Sequence, residues 1–416
     1  MKRIILYAVF LMPLSAIAQN SLTLEDCYQL VNANYPLARQ TTILVKQSAV
    51  DQEVIDTKKL PEFSVAAQAT YQSDVISIPI PNAGIDPPNK DQYKATLSVN
   101  QLIYGGGAIN ASLAAEAATL KTKQKEVEVN LYQLKKQVNQ LYFSILLTQK
   151  KEALLISKQQ LLNSRLDEVK SGVKNGVLLP ASDKVLETEL LKIKQGMTEI
   201  KQNKISLIQT LSSIIGTTIP PTVILLKPEL TTENQVSVRR PELELFQLKK
   251  YQIETAEQLM AKQNSPKLMG FAQGGYGNPG LNMLDNSFQP FYIVGLKISW
   301  TPFDWNANKK QRQSLSINKE FVDNEAELFN LKTSIELEQQ QTEIDKYSAF
   351  IDTDVEIVDL RKEVLKSAES QLKNGVITAS AYLTELTNLY EDENTMCTHE
   401  IQLMLMKANY NITKGL

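Results

Sequence analysis

The chain has 416 residues, 43% of them hydrophobic, and a formal net charge of -2 at pH 7. That is enough apolar material for a substantial core, and the near-neutral balance gives neither the basic footprint of a nucleic-acid binder nor an acidic tail. One histidine, His399, and two cysteines, Cys27 and Cys397, are a poor stock for metal or nucleophile chemistry. His399, in the charged run CTHEI, reads as a surface residue, and the cysteines read either as inert buried thiols or as a single bridge.

Residues 1–18 are expected to be a signal peptide, with Lys2 and Arg3 at the start, an apolar run, and a small-x-small end at Ala16 and Ala18. Cleavage is expected after Ala18. Gln19 follows rather than a cysteine, so nothing suggests a lipid anchor on the mature N-terminus. Residues 19–35 form an N-terminal segment. Beyond it no apolar run approaches the ~20 residues that a membrane-spanning helix requires.

From Pro36 onward the chain reads as two tandem copies, 36–216 and 241–416, joined by an inter-repeat segment 217–240. Pro36 and Pro241 lie 205 positions apart, as do Pro61 and Pro266, and Tyr71 and Tyr276. Leu97 and Leu296, Tyr104 and Phe303, Gly176 and Gly375, and Gly216 and Gly415 lie 199 apart. Two constant offsets describe one duplication with one length change between Tyr71 and Leu97. The period is too long for a solenoid unit.

Each copy reads as a helix, two strands, a long helix and a return helix. Strands are expected at about 61–71 and 93–104, and at about 266–276 and 290–303, because apolar residues recur every second position: Phe63, Val65, Ala67, Ala69 and Tyr71, then Tyr93, Ala95, Leu97, Val99 and Ile103, and later Tyr292, Val294, Leu296, Ile298 and Trp300. PKLMGFAQGGYG, the third strand, is glycine-rich and ambiguous about which side is apolar. The long helices are expected at 105–174 and 304–374. Ala108 to Ser171 has no Gly or Pro for 64 residues and Asn306 to Asn374 none for 69. At ~1.5 Å per residue each is a rod of about 95 to 105 Å. Val127, Leu131, Leu134, Val138, Leu141 and Ile145 alternate spacings of 4 and 3, the coiled-coil period, and Phe321, Leu328 and Ile335 keep it in the second copy. Each rod therefore needs partners along its stripe.

KNGV occurs at both 174–177 and 373–376, where the rods end. Gly176 and Gly375 can terminate a helix in the left-handed conformation, and Pro180 and Ser380 suit the start of return helices at 180–215 and 378–414.

Each strand has about the 9 to 11 residues that cross a bilayer at a tilt. Tyr71, Tyr93, Tyr276 and Tyr292 fall at one end, and Phe63, Tyr104, Trp300, Phe303 and Trp305 at the other, as membrane-interface girdles do. Four strands cannot close a barrel with an open interior, and a free edge in lipid leaves unpaired backbone groups, so several chains must share one barrel. The polar faces, with Lys94, Thr96, Ser98 and Asn100, imply a water-filled lumen.

NANYPLARQ, the strand exits LIYGGGA and TPFDWNA, and the glycine-containing hairpin turns, in this order over nearly the whole mature chain, resemble the outer membrane efflux protein family, the TolC-like channel-tunnels. The resemblance implies a mainly α fold with a β membrane section: a homotrimer whose 12-stranded transmembrane β-barrel, four strands per chain, continues into a long periplasmic α-helical coiled-coil barrel. It implies an outer membrane channel of a tripartite efflux or type I secretion system, set in outer membrane lipid, with a periplasmic adaptor (membrane fusion) protein and an inner-membrane pump of RND or ABC type as partners and no nucleic acid. The adaptor is expected at the hairpin turns, through Lys174, Gly176, Leu178 and Ser182 in one and Lys373, Gly375, Ile377 and Ser380 in the other, with Lys174, Leu178, Ser182, Lys373, Ile377 and Ser380 exposed. Trp305 stands where the family pattern has glycine, which predicts an altered strand-to-helix bend. No phosphate loop, Ser/His/Asp set or metal cluster is legible, so no catalytic residue, metal or cofactor is expected and the chain reads as a passive conduit. The alternative readings are a periplasmic coiled-coil adaptor or a structural scaffold protein.

Overall fold

The computed structural model describes residues 21–76, 87–232 and 237–416. The expected signal peptide and the loop position Asn82 lie outside the described residues. The fold is mainly helical, at 68% helix. In chain order the elements are β1 (Ser21–Leu22), α1 (Leu24–Asn34), α2 (Arg39–Thr57), β2 (Glu62–Tyr71), β3 (Asp91–Tyr104), α3 (Ala108–Lys174), α4 (Ser182–Ile215), β4 (Ile224–Leu225), α5 (Pro241–Gln263), β5 (Lys267–Asn278), β6 (Gln289–Ser299), α6 (Ala307–Lys373) and α7 (Ala379–Lys414). The two long helices have 67 residues each. No described helix is long and apolar enough to cross a membrane.

The chain divides into two compact units, and each draws on both sequence copies: one comprises Met1–Ala38, Asn130–Arg240 and Lys332–Leu416, the other Arg39–Val129 and Pro241–Leu331. The first holds two apolar clusters. In one, Cys27 and Val31 of α1, Val138, Tyr142 and Ile145 of α3, Leu211 and Ile215 of α4, and Ile401 and Leu405 of α7 pack together. Thr23 caps α1 reciprocally with Asp26, each side chain accepting from the other's backbone N–H at 3.1 and 3.0 Å. β1 and β4 form a short parallel pair, Leu22 opposite Leu225. The fully buried Tyr142 places its hydroxyl 2.9 Å from the Leu22 carbonyl and 2.6 Å from that of Leu226, tying this pair to α3. Tyr142→Phe keeps the ring and removes the hydroxyl's bonds to both carbonyls, of which, among the described residues, only that of Leu22 keeps a second donor, the Leu226 N–H at 3.3 Å, so it should lower stability by about 1–3 kcal/mol in thermal unfolding of the purified protein.

In the second cluster the coiled-coil spacing is realised. Leu155, Leu162, Leu166 and Val169 of α3 meet Val358, Leu365, Ala368 and Leu372 of α6, with Leu186 and Ile193 of α4 and Tyr382, Leu386 and Leu389 of α7 filling the other sides. Lys158 and Glu189 form a buried ion pair at 2.8 Å across α3 and α4. Cys27 and Cys397 are free buried thiols, which selects the first of the two readings above. Burial pushes the Cys27 thiol up to about 12, so it stays protonated and unreactive.

His399 corrects the surface reading. It is half-buried on α7, with Nδ1 2.7 Å from Oδ2 of Asp354 and its ring beside Tyr347 and Phe350, because α6 presents a carboxylate and two rings at its level.

The second unit is built on a four-stranded antiparallel sheet in the order β2-β3-β5-β6, with α2, α5 and parts of α3 and α6. Thr122 donates to the Leu248 carbonyl at 3.3 Å, Lys125 pairs with Glu244 at 2.6 Å, and the rings of Phe246 and Phe329 meet edge to face. One stripe departs from expectation. Val127, Leu131, Val138 and Ile145 of α3 are buried, whereas Phe321, Leu328 and Ile335 of α6 are 67%, 47% and 46% exposed. α6 turns Val322 and Thr333 inward, so its stripe stays largely open among the described residues.

Candidate channel strands and helical turns

The sheet register decides the faces of every strand. Phe63 pairs with Val99, Val65 with Leu97, and Ala67 with Ala95. Leu97 continues to Gly274, and Gly274 to Tyr292. One face therefore carries Phe63, Val65, Leu97, Tyr292, Val294, Leu296 and Ile298, all exposed. The same rows place Leu268, Gly270, Ala272, Gly274 and Tyr276 of β5 on this face, which resolves the glycine-rich strand. The opposite face carries Ser64, Gln68, Lys94, Thr96, Ser98, Asn100, Gln273 and Lys297. β2 and β6 are edge strands, each paired on one side alone.

The tyrosines are staggered along these rows. Tyr71 is opposite Asp91, Tyr93 lies two residues further along its strand, Tyr276 is opposite Ala95, and Tyr292 opposite Gly274. Each strand thus carries its tyrosine two residues further from the Tyr71 end than the strand before. Tyr104, beside a β-bulge, and Trp300 follow Phe63 in the same direction. Beyond the strands, Asn89 and Asn286 bond reciprocally at 3.0 Å and join the two connecting loops.

At the strand exits, Gly106 and Gly107 take φ of 62° and 82°, and Trp305 and Asn306 take 55° and 62°. The altered bend expected at Trp305 does not occur in the backbone: two residues without glycine's freedom adopt the left-handed region instead. Phe303 packs edge to face on Trp305 at 4.8 Å. Asp304 accepts from the backbone N–H of Asn308 at 2.9 Å and from Nδ2 of Asn264 at 2.8 Å. These bonds hold its carboxyl below the usual range. The help they give is therefore present at neutral pH and fades on acidification through that lowered value.

The two KNGV turns lie side by side in the first unit. Gly176 (φ 73°) and Gly375 (φ 70°) end the long helices, and the N–H of the next residue reaches back to the carbonyl five positions earlier: Val177 to Gly172 at 2.9 Å and Val376 to Gln371 at 2.8 Å. Between them a groove is lined by Val177, Leu178 and Pro180 of one turn and Gly375, Val376 and Ile377 of the other. The return helices start differently. Thr378, not Ser380, caps α7 by accepting from Ala381 N–H at 3.2 Å, whereas α4 begins after Ala181 at φ 68° with no side-chain cap.

Exposure at the turns corrects the sequence expectation. Lys174, Lys373 and Ser380 are exposed. Ser182 is buried, and Leu178 and Ile377 pack against the second apolar cluster because each folds back over the last turn of its long helix. The apolar residues that face solvent are Val177, Leu179 and Val376, at 58%, 63% and 71% exposure. The glycines also differ. A Cβ on Gly176 would meet open space, while one on Gly375 would lie 3.2 Å from the Val177 carbonyl oxygen. Gly176→Ala should cost about 1 kcal/mol for the left-handed backbone alone. Gly375→Ala should cost measurably more in the same melting experiment, and equal losses would contradict the contact between the turns.

This arrangement of a four-stranded sheet with long helical hairpins is the fold of bacterial outer membrane channels. The chain is similar to the outer membrane protein VceC of Vibrio cholerae (TM-score 0.66, 14% identity, covering 94% of this chain and 96% of that one). It is likewise similar to the CmeC outer membrane channel of Campylobacter jejuni (0.64, 14%, 94% and 85%) and to the open state of the MtrE outer membrane channel of Neisseria gonorrhoeae (0.65, 14%, 94% and 88%). No curated protein matches the sequence. Residues 28–211 match the family described as outer membrane efflux protein. The resemblance read from the strand exits and turns thus holds.

Proposed function

We propose that the protein is the outer membrane channel of a tripartite efflux or type I secretion system, a passive conduit from a periplasmic adaptor and inner-membrane pump to the cell exterior. The observation that carries this reading is the sheet: its two edges are unpaired among the described residues, one face is apolar and exposed, and the other is mostly polar. Unpaired edges in hydrocarbon cost several kcal/mol per backbone group, so neighbouring copies complete the ring. Three copies of two tandem repeats give a 12-stranded barrel, the form that the family resemblance implies. The two-residue stagger of the tyrosines fits strands tilted in a level aromatic belt. Phe321 and Leu328, uncovered in one chain, supply a coiled-coil stripe for a neighbour.

In this reading the loops beyond the tyrosines face the exterior and the paired turns face the periplasm, where they take the adaptor. Asn282→Cys should react with a membrane-impermeant thiol reagent on intact cells, and Asn175→Cys should react only after the outer membrane is permeabilised. The two native thiols are buried and give little background. Protection of Cys at 282 on intact cells would remove this topology.

A further inference from the structure

The polar face of the sheet carries an excess of positive charge. On the parity defined by the register it carries Lys94 on β3, Lys267 on β5 and Lys297 on β6, against a single acid, Glu62 on β2. No ion pair to any of the three lysines is found among the described residues. Their heights differ. Lys297 is opposite Met269, and Lys267 opposite Ser299, near the strand ends that lead into the helices. Glu62 sits one same-face row further out, in the row of Asn100 and Phe271. Lys94 is opposite Gln68 and Gly277, three rows beyond that, toward the tyrosine end.

Lys94 is held in place. Its Nζ lies 4.7 Å over the ring of Phe291, which is 8% exposed because it lies across Gly275 on the neighbouring strand. A Cβ at Gly275 would strike that ring and the Ala95 carbonyl. The cation–π contact therefore fixes the ammonium on the polar face rather than letting it swing to the rim.

We propose that the membrane section of this channel selects for anions, its cargo passing as organic or inorganic anions through two lysine belts, an inner one of Lys267 and Lys297 and an outer one of Lys94. The inference rests on the conduit reading, in which this face lines the lumen and every belt is repeated by each copy. A narrow pore with low-dielectric walls focuses the field of such charges, and lysine rings favour anion passage. Glu62 alone opposes them.

The test is the reversal potential of purified wild-type and variant channels in planar bilayers under a potassium chloride gradient. The wild type should favour chloride. The triple variant Lys94→Gln, Lys267→Gln, Lys297→Gln should lower the chloride-to-potassium permeability ratio by at least about threefold, and Glu62→Gln should raise it. Lys94→Gln alone, at the outer end, provides a milder variant if the triple one assembles poorly. Channels that conduct with an unchanged ratio in both Lys94→Gln and Glu62→Gln would overturn the inference and leave the conduit standing. Absence of any conductance from well-assembled wild-type protein would overturn both.

Discussion

Leu97→Arg should abolish assembly in the outer membrane, while Thr96→Arg, one residue earlier on the same strand, should be tolerated. Leu97 is 51% exposed on the apolar face, midway between Tyr93 and Tyr104, and its row runs through Val65, Gly274 and Tyr292. An arginine at the middle of a lipid-facing strand costs about 2–4 kcal/mol per copy, and each copy in a ring incurs that cost. Thr96 points to the other face, where its hydroxyl makes only a long bond of 3.4 Å to the Ala66 carbonyl and an arginine can reach water. The readout is the amount of heat-resistant oligomer in outer membrane fractions. Equal loss from the two substitutions would mean that the faces do not see different solvents.

The second large effect is expected at the turns. Val177→Asp with Val376→Asp removes one exposed apolar group from each turn, at neighbouring positions of the groove, without touching the cluster beneath. The double variant should assemble normally, yet lose cross-linking to its adaptor and lose export nearly completely, since small apolar anchors dominate such contacts and a charge there must be desolvated. Leu178→Asp with Ile377→Asp should behave differently: these side chains pack against the second apolar cluster, so the turns themselves should loosen and the melting temperature fall. If Val177→Asp with Val376→Asp still cross-links and exports normally, the adaptor engages the helices elsewhere.

Period-2 alternation located β2, β3 and β6 because one face of each is uniformly apolar, and glycine before the return helices located both turns because only a left-handed residue closes a helix there. The face of β5 was not legible, since the middle of its apolar side is Gly270, Ala272 and Gly274 while Met269 and Phe271 lie on the other side, and the partners Leu97 and Leu296 identify it. Exposure at the turns was not legible either. Leu178 and Val177 are adjacent and equally apolar, and which one points inward depends on the Schellman bond from Val177 to Gly172. The left-handed Trp305 and Asn306 show the reverse case. A glycine was expected for its backbone freedom, yet the conformation persists without it, supported by the Asp304 bonds and the Phe303 ring. His399 looked like a surface residue because its partner Asp354 lies 45 positions away on another helix. Tandem offsets, by contrast, needed no contacts to be read.

With four strands, one chain cannot close its own barrel. Multi-angle light scattering of the detergent-extracted protein, corrected for bound detergent, measures this directly. Three copies per particle is the predicted result, because among the described residues each chain leaves the outer edges of β2 and β6 unpaired. A stable monomer under the same native conditions would contradict it.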